Sequence, residues 1–84
     1  MVKGRFEVGE SEKHIIAVNA NPVFKYIRVE VDGERVINVA NLTPSRKLQL
    51  DVGNSEKHNV EIDIRAFSPI KLYVDGKEIK QILP

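Results

Sequence analysis

These 84 residues contain no cysteine and no tryptophan, one methionine, three phenylalanines and two tyrosines. Without cysteine there is no disulfide framework, no thiol nucleophile and no cysteine-based zinc site. No apolar run approaches the roughly 20 residues that a helix needs to cross a bilayer. Met1-Val2-Lys3-Gly4-Arg5 lacks the apolar stretch of a secretion signal. The expected location is therefore the cytoplasm, away from membranes, and Asn41-Leu42-Thr43 reads as plain loop rather than a glycosylation site. Charge of one sign is also missing. Thirteen basic residues against twelve acidic ones leave +1, with the signs interspersed. A dedicated nucleic-acid binder would carry a basic excess for phosphate contacts.

What is present is a repetition. Val8-Gly9-Glu10-Ser11-Glu12-Lys13-His14 recurs as Val52-Gly53-Asn54-Ser55-Glu56-Lys57-His58 with one change. A second echo follows, Val31-Asp32-Gly33-Glu34 and then Val74-Asp75-Gly76-Lys77. Residues 1–84 thus read as a single domain of two tandem copies, about 5–39 and 46–83. A chain this short buries only roughly 60% of its unfolded surface. Two units of half that length must share one core.

The dominant period is two. Phe6 and Val8 alternate with Arg5 and Glu7, and Ile16 and Val18 are placed inward in the next segment. Val23, Ile27, Val29 and Val31 share a face, although Lys25 breaks the alternation. In the second copy Leu48, Leu50 and Val52 point in, as do Val60, Ile62 and Ile64, then Ile70, Leu72 and Val74. Such alternation means antiparallel strands with one packed face and one wet face. Asp32-Gly33 and Asp75-Gly76 are type I′ hairpin signals, because both central residues need positive φ. No segment has a helical period. The expectation is all-β: an antiparallel β-sandwich of about eight strands built from two four-stranded repeats. A closed barrel and strands exchanged between sheets are the alternatives. The copies are offset by 44 residues at Ser-Glu-Lys-His and by 43 at Asp-Gly, and the Asn21-Pro22 and Ser68-Pro69 loops are the expected place for the difference. Scattered Lys and Arg, with Pro69 and Pro84, read as protection of sheet edges.

Few residues suggest chemistry. His14 and His58 are the only histidines and hold equivalent places. With Glu12 and Glu56 they could form two halves of a zinc or nickel site, provided four ligands converge at about 2 Å from one ion. The plainer reading is a duplicated turn in which Ser11 and Ser55 bond the local backbone. Gly9 and Gly53 read as turn glycines with positive φ. Asp32 and Asp75 read as solvated hairpin residues, and no serine stands in a nucleophile-elbow context. Catalytic residues and cofactors are not expected, and the protein is not read as an enzyme. Phe24, Tyr26 and Tyr73 fall on outward parity, where aromatics beside basic residues make either a protein-contact surface or a stacking platform for single-stranded nucleic acid.

The units Phe6-x-Val8-Gly9, Ile16-Ala17-Val18 and Val29-x-Val31-Asp32-Gly33, with Leu50-x-Val52-Gly53, Val60-x-Ile62 and Leu72-x-Val74-Asp75-Gly76, resemble the strand units of the Fas apoptotic inhibitory molecule family. The resemblance runs from Phe6 to about Ile82. It implies an all-β sandwich that acts through protein contacts, in regulating cell death and holding misfolded proteins from aggregation, with no catalytic or cofactor residues to carry over. The expected function is a non-catalytic protein-interaction or chaperone-like module whose partner is another protein or a second copy. The second expectation is a small single-stranded nucleic-acid-binding β domain.

Overall fold

Alternating apolar residues make eight strands, and a computed structural model describes residues 2–21, 25–40, 45–65 and 69–82 of them and their connections. In chain order these are β1 (Val2–Val8), β2 (His14–Asn21), β3 (Tyr26–Val31), β4 (Glu34–Ala40), β5 (Ser45–Val52), β6 (His58–Arg65), β7 (Lys71–Val74) and β8 (Lys77–Ile79). They form two separate antiparallel sheets, ordered β1-β2-β3-β4 and β5-β6-β7-β8, so each sheet is one copy of the repeat. This decides between the expected alternatives: the chain is a two-sheet sandwich and not a closed barrel.

The inward sets named from parity meet in one cluster. Phe6, Val8, Ile16, Val18, Ile27 and Val29 from one sheet pack with Leu48, Val52, Val60, Ile62, Ile64 and Leu72 from the other. Burying each such side chain is worth about 1.5–3 kcal/mol. Neither sheet could cover its apolar face without the other.

Registers repeat between the sheets. Arg5 faces Ala17 in one and Gln49 faces Glu61 in the other, both shifted by 44. Val31 lies opposite Ile16 and Val74 opposite Val60, so the third strands are shifted by 43. The one-residue difference therefore falls in the β2–β3 and β6–β7 connections, as expected.

Several local expectations change. Lys25 broke the alternation because it is not in a strand; it sits at φ 54, and β3 begins only at Tyr26. Val23 and Phe24 lie outside the described residues, as do Phe67, Leu83 and Pro84. Asp63 has outward parity yet is buried at 7% exposure, because it lies between Lys47 and Lys71 in the sheet with Arg65 beside it. Pro69 precedes β7, an interior strand, so it guards no edge.

The edges differ from one another. β4 carries a bulge opposite Val29 and Glu30 that pushes Val36 outward to 48% exposure while Ile37 turns inward. β8 leaves its sheet after three residues, and the following segment crosses to the other sheet, where Ile82 N–H donates to the Arg5 carbonyl at 2.8 Å.

Candidate functional site

The repeated turn is where the two halves grip each other. Gly9 at φ 105 and Gly53 at φ 108 fold the chain so tightly that a Cβ would run into the carbonyl of Glu12 or Glu56. The fold turns the next amides outward, toward the other half. Glu10 and Ser11 N–H each donate to the Glu56 carboxylate at 2.8 Å, and Glu12 N–H at 3.4 Å. Reciprocally, Asn54 and Ser55 N–H donate to the Glu12 carboxylate at 2.7 and 3.0 Å. A run of backbone amides converging on one carboxylate is an anion nest. Here each copy supplies both the nest and the anion that fills its counterpart's. The expected role for Ser11 and Ser55 is corrected by this: their backbone amides hold the other half's carboxylate, and the hydroxyls are not what closes the turn.

Each glutamate is braced by its own histidine. His14 Nε2 lies 2.5 Å from Glu12, and His58 Nε2 bonds Glu56 in the same way. The opposite ring nitrogens face the hairpin aspartates, His14 Nδ1 to Asp32 at 2.6 Å and His58 Nδ1 to Asp75 at 2.7 Å. Both nitrogens of each ring thus meet carboxylates, and the imidazolium is the form that donates to both.

The aspartates are anchored in turn. Asp32, at φ 53, accepts from Ile15 N–H at 2.9 Å and gives its own N–H to the Ile15 carbonyl; Asp75, at φ 51, does the same with Asn59. The hairpin signals are confirmed, but the aspartates are only half exposed and fully engaged, not simply solvated. A chain of Asp, His and Glu therefore runs from each Asp-Gly hairpin, through the start of β2 or β6, into the other sheet's turn.

The charges respond accordingly. The imidazolium, then the amides across the interface, hold Glu12 and Glu56 down from 4.5 to about 2. Asp32, then Glu12, raises His14 above its ordinary 6.5, and Asp75, then Glu56, does so for His58. Hydrogen bonds from the histidines, then from the Ile15 and Asn59 amides, lower Asp32 and Asp75.

Their equivalent places in the repeat make His14, His58, Glu12 and Glu56 two possible halves of a metal site, and the structure does join the halves through Glu12 and Glu56. The joining atoms are carboxylates and amides. Among the described residues no three or more His, Asp or Glu side chains converge as a metal-binding group.

Of the outward aromatics, Phe24 lies outside the described residues. Tyr26 is half-buried with the Arg28 guanidinium 4.2 Å from its ring centre, so one face of the ring is already capped. Tyr73 is half-buried on the other sheet's outer face, opposite Glu61 and Glu78. Tyr26 and Tyr73 stand on different sheets and do not form one patch. An open cleft of about 480 Å³ is lined by residues from the start of β4 and the end of β5, among them Val36, Leu50 and Val52, together with Val31, His14 and Asp32. No described helix is long and apolar enough to cross a membrane. Comparison with protein-family models, curated proteins and solved structures finds no match for the chain.

Proposed function

We propose that this chain is a non-catalytic protein-interaction module of chaperone-like character, acting in the cytoplasm. One observation carries the reading. The residues that look like chemistry, Glu12, His14, Asp32 and their counterparts Glu56, His58 and Asp75, are saturated by one another in holding the two sheets together. What the molecule presents outward is sheet surface and strand edge, the features through which all-β modules take extended partners. The resemblance of the repeated strand unit to the Fas apoptotic inhibitory molecule family points the same way.

The test is light scattering from a destabilised client protein with and without stoichiometric amounts of this one. Suppressed aggregation, with the client recovered in a complex, supports the reading. Unchanged aggregation, together with no binding of unfolded client by fluorescence anisotropy, rejects it. The second reading, single-stranded nucleic-acid binding, draws on Lys3, Arg5 and Arg28 on the outer face of the first sheet. Oligonucleotide binding at low salt that falls steeply as salt rises would favour it.

A further inference from the structure

Four strands lie at sheet edges, and three of them are closed to pairing. The crossing segment covers β1, with Ile82 N–H on the Arg5 carbonyl. The bulge at Val36 distorts β4, and β8 is three residues long. Only β5 remains: eight residues in unbroken register with β6, with no strand of the described residues paired on its other side. At its start Arg46 reaches the Ala40 carbonyl at 2.7 Å, and farther along Gln49, Leu50 and Asp51 line the open cleft that Glu34, Val36 and Ile37 of β4 also line.

The free backbone groups of β5 can be assigned. Arg5 offers its carbonyl away from β2, since it accepts from Ile82, and Gln49 is the counterpart of Arg5 in the matching register. Along a strand these directions alternate, so Lys47, Gln49 and Asp51 present N–H and C=O to the open side.

The sequence over those residues is self-complementary. Lys47-Leu48-Gln49-Leu50-Asp51 laid antiparallel against itself about Gln49 puts Lys47 opposite Asp51, Gln49 opposite Gln49, and Leu48 opposite Leu50. Every outward backbone group then meets its complement in hydrogen-bonded pairs. The opposite charges face each other on the wet side, and the leucines meet on the core side, where Leu50 is only half-buried. The same operation on β1, centred on Arg5, would set arginine against arginine.

We infer that β5 is a self-association edge: two copies of this chain pair β5 to β5 antiparallel about Gln49, making one eight-stranded sheet across a twofold axis. This rests on the interaction-module reading and names its partner as a second copy. A single strand pairing buries little surface, so the dimer belongs to the weak class.

Sedimentation velocity across the micromolar to millimolar range tests it, with amide exchange as the positional readout. Wild-type chain is expected to dimerise reversibly, with exchange at Lys47, Gln49 and Asp51 slowing as concentration rises. Asp51→Lys sets Lys against Lys on both sides of the axis and should weaken the dimer on the order of tenfold. High salt should narrow that gap, because it screens attraction in one protein and repulsion in the other. Gln49→Pro removes an outward N–H without touching the β6 ladder and should abolish the dimer while leaving the melting transition in place. A wild-type chain that stays monomeric throughout, or an Asp51→Lys chain that dimerises as well as wild type, overturns the inference. A monomer that still binds unfolded client overturns self-pairing and leaves the interaction reading standing; a β5 dimer that binds no client does the reverse.

Discussion

Glu12 carries two duties at once, as acceptor for Asn54 and Ser55 and as neighbour of His14. Glu12→Gln keeps the shape and removes the charge, so His14 should titrate closer to its ordinary 6.5, followed by NMR of the ring proton. The melting temperature should fall as well. Glu12→Gln and Glu56→Gln together should lower it by less than the sum of the two, because the Glu12 amide itself lies in the Glu56 nest. Gly53→Ala meets both a φ of 108 and the Glu56 carbonyl. It should cost more than about 2 kcal/mol in denaturant unfolding, at the upper range of backbone strain. At this scale the sequence was half legible. The repeated Ser-Glu-Lys-His showed that these positions are equivalent, although the plainer reading made them only a kept turn. It did not show where the carboxylates reach, because bonds between residues 42 to 46 apart leave no local period.

Among the strands, parity placed nearly every core residue correctly, since a strand with one buried face has little freedom of register. What it missed were the departures from regularity. Lys25 is in the left-handed region, Val36 is turned out by a bulge, and Asp63 is buried despite its outward parity. The edge protection assigned to Pro69 was also misplaced, since Pro69 precedes an interior strand, whereas a crossing tail, a bulge and a short strand mark the edges. The tail makes a prediction of its own. Ile82→Pro deletes the N–H that Arg5 accepts and should cost about 1 kcal/mol. It should also speed exchange of the amides along β1's outer side, and light scattering should show a greater tendency to associate through that edge.

The whole molecule should have a stability maximum in mildly acid solution. His14 and His58 have raised pKa values, so their contribution is complete below 6.5 and fades as pH rises through the folded values. Glu12 and Glu56 are lowered, so theirs is complete above 4.5 and fades as pH falls toward about 2. Thermal midpoints should therefore peak between pH 4.5 and 6.5 and decline on both sides. The His14→Gln, His58→Gln double variant should lose the decline on the alkaline side. Residues 1–42 and 43–84, made as separate peptides, should each lack a cooperative melt, since the core and both nests need the two sheets. Mixed in equal amounts they should recover it, as circular dichroism would show.

The reciprocal hold of the two turns also bears on which letters of this sequence are free to drift. Each turn is read by the other half's carboxylate, so a change in one is felt as a defect in both, and neither copy can wander alone. Glu10 and Asn54 contribute only a backbone amide to the hold, with exposed side chains. They are the one position of the seven where the copies differ. Outside these turns and the Asp-Gly hairpins that anchor their histidines, the outward residues of the two halves have largely gone separate ways, while the apolar parity that builds the shared core is kept.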